Sequence, residues 1–137
     1  MAKTFPDVFQ GYKLDVVESH QSTKADVSGT AVGVVSSLSA MGVQHSGEDS
    51  IRKIRNPEEQ LQHGVPQEAL TGHAWHTYTL TSEDGSVQFK FEHNVCGRRT
   101  YAEGVADAVQ FLAAKVGTGS TKRIFDMIDV LSEGAMH

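Results

Sequence analysis

Hydrophobic and polar positions along this chain fall into two periods, and the switches between them sketch the fold. Tyr12 to Glu18 reads as a short strand, after which Ala31, Val34, Val35, Leu38 and Met41 recur at helical spacing. That helix is expected over about Thr30 to Met41, with Gly42 as its stop. Its Val32, Val34 and Val35 are poor helix formers, so packing of the apolar face has to hold it. Upstream, Phe5-Pro6-Asp7-Val8-Phe9 suggests a helical turn broken off at Gly11. From Gln44 to Gly72 the signals weaken to short pieces: Ile51 and Ile54 mark a short strand, and Pro57 and Pro66 each suit the first turn of a helix.

The clearest local signal is a hairpin. Ala74 to Thr81 is rich in strand formers, Glu83-Asp84-Gly85-Ser86 is a turn, and Val87, Phe89 and Phe91 alternate with Gln88, Lys90 and Glu92. One face is apolar and suits the helices of the same subunit; the other is free to meet another subunit's sheet. Thr100-Tyr-Ala-Glu103 has the form of a capping box, and Val105, Ala108, Val109, Leu112, Ala113 and Val116 give the helix behind it an apolar stripe ending at Gly117. Residues 117–123 read as a linker. The 124–137 tail is apolar with interleaved Asp126 and Asp129, and it is expected either to be disordered or to pack on a neighbouring molecule. The pattern predicts one α+β domain over 1–137: a mixed or antiparallel sheet of about four strands with helices on one face.

Composition narrows the function. At 137 residues the chain is long enough for one domain with a real core, and its charge of −5 gives no basic field for nucleic acid. No apolar run approaches the roughly 18 residues that span a bilayer. The single Cys96 rules out an internal disulfide and fits a reducing compartment; a buried structural thiol is the expectation for it. His73 and His76 have the spacing of a metal pair on a helix, but on a strand they face opposite sides, and no metal site is assigned.

Candidate chemistry concentrates between Glu18 and Ala31, read as a strand-to-helix loop. It holds His20 and Lys24, then Ser28-Gly29-Thr30 where the helix should begin. The first amides of a helix have no partner inside it, so Ser28, Gly29 and Thr30 can seat a carboxylate or phosphate, with Ser28 as the cap. A side chain at Gly29 would keep such an anion off the backbone. His20 has an ordinary pKa near 6.5, which a neighbouring Lys⁺ lowers.

These residues carry a resemblance. His20-Gln21-x-x-Lys24-x-Asp26 followed by Ser28-Gly29-Thr30-Ala31 resembles the active-site loop of the dihydrodipicolinate (4-hydroxy-tetrahydrodipicolinate) reductase family, whose common form reads His-His-x-x-Lys-x-Asp-Ala-Pro-Ser-Gly-Thr-Ala. Gln21 replaces the second His and Val27 stands for Ala-Pro, as in the plant-type branch. His93-Asn-Val-Cys-Gly-Arg98, Thr100-Tyr-Ala-Glu-Gly104 and Phe125-Asp-Met-x-Asp-Val-Leu131 extend the similarity over nearly the whole chain.

The resemblance implies a parent enzyme of lysine (diaminopimelate) biosynthesis. Such an enzyme reduces 4-hydroxy-2,3,4,5-tetrahydrodipicolinate to 2,3,4,5-tetrahydrodipicolinate with NADPH or NADH. In the family pattern His20 is the general acid and Lys24 its assisting donor. Gln21, Ser28, Gly29, Thr30 and Arg98 contact the dicarboxylate, Arg98 alternatively pairing with an acidic side chain of the protein. The Gly-rich fingerprint of a dinucleotide domain does not occur: Gly117-Thr-Gly-Ser-Thr-Lys122 follows a helix and lacks the third Gly. The chain is therefore expected to be the C-terminal substrate-binding and oligomerisation half, without the N-terminal Rossmann domain to which its tail returns. Alone it is expected to bind no cofactor and to be inactive. Homo-oligomers through the sheet, usually tetramers, are implied, in the plastid stroma of a plant or alga or the cytoplasm of a bacterium. The alternative is a non-catalytic dicarboxylate-binding or assembly module that stands alone.

Overall fold

A computed structural model describes residues 3–135. The chain divides into two compact units, Met1–Cys96 and Gly97–His137, where the sequence pattern suggested one domain.

The first unit is a four-stranded sheet with its helices. Strand β1 (Lys13–His20) is followed by helix α1 (Gly29–Ser39), strand β2 (Arg52–Ile54), helix α2 (Pro57–Gln62), and the hairpin β3 (His73–Thr81) and β4 (Gln88–Cys96). The order across the sheet is β2-β1-β3-β4, with β2 parallel to β1 and the other pairs antiparallel, so the sheet is mixed. This is the α+β class expected. β1 runs two residues past Glu18, which puts His20 on the sheet, opposite Ala74, and not in the loop.

Register explains where the core sits. Leu14 lies opposite Leu80 and Val16 opposite Tyr78, so these four share a face. Ala31 and Leu38 of α1 pack on that face together with Met41, Val43 and Ile51, while Val34 and Val35 are partly buried against it. Burial of the valines is what offsets their low helix propensity. Leu80 and Ala31 are fully buried.

Two glycines separate backbone need from mere smallness. Gly42 follows α1 with φ +89°, and a Cβ there would sit 3.0 Å from the backbone of Gln10. The chain's first turns close on it, with the Phe9 amide donating to the Met41 carbonyl at 2.9 Å. Gly33, by contrast, lies on the exposed side of α1 with nothing near its Cβ position.

α2 is short but well started. Asn56 caps it by accepting from the amides of Glu58 and Glu59, Pro57 fills its first position, and both glutamates sit in its first turn. In the hairpin, Phe89 packs edge-on against Phe9. Phe91 and Val87 remain exposed, so the apolar face is covered along β1 and β3 but only in part along β4.

The second unit holds helices α3 (Arg99–Gly117) and α4 (Met127–Ser132). Two expectations are corrected here. Thr100 does not cap α3: the helix begins at Arg99 with no side-chain cap, and Glu103 turns back to pair with Arg99 at 2.7 Å, one turn away. The capping box lies instead at Asp126 and Asp129, where each side chain accepts from the other's amide. Over its described residues, 124–135, the tail is not disordered: it is helical over α4, with Val130 buried and Phe125 edge-on to Phe111, and its last two residues lie outside the described ones. The apolar stripe of α3 is present as expected, and its Val105, Val109, Leu112 and Val116 are exposed, while Phe111, on another side of the helix, is buried.

Gly33→Ala is expected to stabilise the protein by about 0.5–1 kcal/mol, the helical cost of glycine. Gly42→Ala should destabilise it by more than about 1 kcal/mol, because alanine resists positive φ and meets the Gln10 backbone. Urea unfolding of both variants measures this, and effects of the same sign would refute the account of Gly42.

Candidate active site

The face that carries the core along β1 turns polar at its far end. Beyond Leu14 and Val16 come Glu18 and His20, and across the ladder His76 lies opposite Glu18. All three are buried, with relative exposures of 0%, 6% and 1%. A buried carboxylate needs a partner, since desolvating an unpaired charge costs several kcal/mol.

Arg55, just after β2, supplies it. Its guanidinium pairs with one oxygen of Glu18, while the other oxygen accepts from the Ser28 amide at 2.9 Å. The remaining donors of Arg55 go to backbone carbonyls: Nε to Lys24 at 2.7 Å, Nη2 to Asp26 at 3.2 Å, and Nη1 to Ile54 at 3.1 Å and Glu18 at 3.4 Å. One side chain thereby holds the loop 21–28 at two of its carbonyls and ties it to the strands on either side. Gln60 of α2 adds a bond from its Nε2 to the His20 carbonyl at 2.6 Å.

The histidines are oriented by acceptors that can only accept. His73 Nδ1 lies 2.9 Å from the Ala69 carbonyl, so it carries the proton and Nε2 accepts from the Ser19 hydroxyl at 2.8 Å. His20 Nδ1 likewise donates to the His73 carbonyl at 3.2 Å. In the neutral ring this leaves a lone pair on His20 Nε2, which faces His76 Nε2 at 3.3 Å and a Glu18 oxygen at 4.0 Å. The ring of His76 stacks near those of Tyr78 and His93, and its buried Nδ1 has no hydrogen-bond partner among the described residues. His73 and His76 face opposite sides of β3, as their spacing on a strand requires.

Burial is the main force on these rings. It lowers the His20 pKa first of all; the charge of Glu18 opposes this, and Arg55 and then Lys24 add to the lowering. The direction is that expected from Lys24, but Lys24 is the smallest contributor. His76 is pushed down to about 4, by burial and then by His20. Tyr78 moves up, by burial and then by the Glu18 charge.

The other expected site residues divide. Gln21 and Lys24 are half-buried in the loop, whose turn is closed by the Lys24 amide donating to the Gln21 carbonyl at 3.0 Å. Ser28 is at the N-cap position of α1 but makes no side-chain cap, and its own amide is taken by Glu18. The amides of Gly29 and Thr30, both exposed, belong to the open first turn. A Cβ on Gly29 would meet no protein atom within 4 Å, so packing does not demand glycine there. Arg98 belongs to the second unit, at the N-cap of α3. Cys96, expected to be buried, is exposed at the end of β4.

Sequence reasoning gave Glu18 and Arg55 no role, and considered His73 and His76 only as a metal pair with each other, which it set aside. Glu18 and His20 could have been found together, because alternate residues of a strand share a face. Arg55 had no local signal. One oxygen of Glu18 and one ring nitrogen each of His20 and His76 lie within 4.8 Å of one another, a spacing that can hold a metal ion.

A histidine whose folded pKa lies below its unfolded value binds fewer protons when folded, so stability is full above about pH 6.5 and falls as pH drops toward the folded value. For His76 the loss should reach about 3 kcal/mol on going from pH 6.5 to about 4. Urea unfolding across this range in chelator-containing buffer checks it: the slope should be smaller in His76→Phe, and an unchanged slope would remove His76 as its source.

Comparison with known proteins bears on what this site serves. The family model described as the C-terminus of dihydrodipicolinate reductase matches residues 1–131. The chain is 53% identical over 137 residues to the probable 4-hydroxy-tetrahydrodipicolinate reductase 1, chloroplastic, of Oryza sativa subsp. japonica, covering 99% of this chain and 40% of that protein. Against 4-hydroxy-tetrahydrodipicolinate reductase 1, chloroplastic, of Arabidopsis thaliana it is 53% identical over 137 residues, 99% of this chain and 39% of that protein. The chain thus spans about two fifths of the length of these relatives. With its fold, its loop and the family match in agreement over nearly every residue, the chain belongs to the dihydrodipicolinate reductase family, in the region of its C-terminal domain.

Proposed function

We propose that the parent protein is a 4-hydroxy-tetrahydrodipicolinate reductase of lysine biosynthesis and that this chain supplies its substrate seat and proton-donating residues. The observation that carries the reading is the loop 21–28, held by Arg55 through backbone carbonyls with Lys24 and the first turn of α1 on the same short span. The reaction exchanges a hydroxyl for hydrogen, so a proton must be supplied as water leaves. A charged donor beside helix-end amides suits a dicarboxylate that receives that proton.

Within the pair, Lys24 is the group that meets the substrate. The ring of His20 is buried with both nitrogens engaged, and burial favours its neutral form. Its part as an acid then depends on proton exchange through the His76 contact. Gly29 and Thr30 seat one carboxylate, and the room beside Gly29 has no use in the protein's own packing. Gln21 offers a neutral donor, and Arg98 is the candidate for the second carboxylate.

The chain's Gly-rich string does not have the strand-turn-helix form of a dinucleotide fingerprint. The Gly-rich string at Gly117–Ser120 is the turn after α3, with Gly119 at φ +68°, and no strand leads into it. On this reading the NADPH or NADH of the parent protein is held by a separate nucleotide-binding domain. β4 stands at the edge of the sheet and its Phe91 is half exposed, which supports assembly of subunits through the sheet. The names of the relatives support a plastid location. No described helix is long and apolar enough to cross a membrane.

In the full-length protein, Lys24→Ala should lower turnover by about 10²–10⁴-fold, the usual worth of a positioned acid, while stability stays within about 0.5 kcal/mol. Steady-state kinetics with thermal melts decide, and unchanged turnover would sink the assignment of Lys24.

Gly29→Ala should leave the melting temperature unchanged and weaken binding of pyridine-2,6-dicarboxylate at least tenfold by calorimetry. Equal affinity would place the carboxylate elsewhere. Binding without turnover in the full-length protein would favour a non-catalytic dicarboxylate-binding module.

A further inference from the structure

The polar end of the sheet holds more bases than the loop chemistry needs. His20 Nε2, His76 Nε2 and a Glu18 oxygen converge from two strands on one point, inside protein. Either tautomer of His76 leaves a defect. A proton on Nε2 serves the contact to His20 but strands a bare lone pair on buried Nδ1; a proton on Nδ1 sets two lone pairs face to face at 3.3 Å. A cation between the rings turns the second arrangement into a bonding one.

We propose that Glu18, His20 and His76 form a binding site for a divalent transition-metal ion of the zinc class. Tetrahedral zinc holds nitrogen and oxygen ligands about 2.1 Å away, which puts neighbouring ligand atoms about 3.4 Å apart. The two imidazole nitrogens already have that separation, at 3.3 Å. The Glu18 oxygen, 4.0 Å from His20 Nε2 in a set whose atoms lie within 4.8 Å of one another, has to close by roughly half an ångström on His20 and by up to about 1.4 Å on His76, a swing of one carboxylate. Two histidines and a carboxylate are a ligand set that zinc accepts while keeping a fourth position open for water.

The surroundings are those of an oriented ligand set. His20 donates its other ring proton to the His73 carbonyl, which aims Nε2 inward, and His76 is held by stacking on Tyr78 and His93. Glu18 keeps Arg55 on one oxygen and the Ser28 amide on the other. The second of these oxygens is the one facing His20, and a carboxylate oxygen accepts twice, so the metal and the amide can share it. On the reading of His20 given above, an ion bound here also removes its Nε2 from proton exchange.

The test uses the full-length protein, stripped with a chelator and returned to chelator-free buffer. Titration with CoCl₂ should give one equivalent bound with the intense visible absorption of a four-coordinate site, displaced by ZnCl₂. His76→Gln, which keeps a hydrogen-bonding side chain toward His20, should weaken binding at least tenfold, while His45→Asn on the surface should leave it unchanged. Weak six-coordinate absorption in the unmodified protein, or equal affinity in His76→Gln, would overturn the site. The unmodified protein's spectrum decides even if the variant does not fold. Turnover recorded during the ZnCl₂ titration reads the role of His20 separately: activity that survives full occupancy refutes that role and leaves the binding result intact.

Discussion

A carboxylate with no access to water sits at the end of β1, and the site around it exists because that charge has to be answered. Glu18 is met by a guanidinium from beyond β2 and by the first amide leading into α1. Each partner belongs to a different segment, so satisfying one charge joins the strand, the loop and the helix start. Such a pair contributes little net stability against an apolar replacement, but leaving either member alone is severe. It acts mainly as a constraint on geometry. The loop that carries Lys24 cannot drift without exposing a guanidinium or stranding a carboxylate.

The same charge organises the histidines. Glu18 opposes the lowering of the His20 and His76 pKa values, while burial drives it. The outcome is two neutral rings beside a paired carboxylate, an arrangement rich in lone pairs and short of protons. Directions are set one after another: the Ala69 carbonyl fixes His73, the His73 carbonyl fixes His20, and His20 presents its nitrogen to His76. The His73 and His20 tautomers are fixed separately, because the carbonyl that orients His20 is main chain and accepts whichever nitrogen of the His73 ring carries the proton.

Elements with strong periodicity were legible in the sequence. The hairpin, α1 and the α+β class follow from alternation and helical spacing, because a face that must be buried leaves a regular trace. The loop motif could likewise be read, since its residues are contiguous. What was not legible depended on partners distant in the chain. Thr100 and Glu103 have the spacing of a capping box, yet the cap position falls two residues earlier, at Arg98, and Arg99 captures the glutamate. The apolar stripe of α3 has the right period but lies exposed, because periodicity states which residues share a face and not what covers it. Arg55 looks like any surface cation until the sheet folds and brings it to Glu18. His20, read as a loop residue, belongs to the strand because the ladder to β3 extends to Ala74.

The grip of Arg55 has a consequence for how this site can change over time. Its bonds to Lys24 and Asp26 go to carbonyls, which every amino acid possesses. The loop's course is therefore written into its backbone, and its side chains carry little of the duty of holding it. Substitutions at Gln21, Ser22, Thr23 or Lys24 can exchange one chemistry for another while the chain keeps its path. The scaffold's vulnerability sits elsewhere, at an arginine and a glutamate that need never touch a substrate.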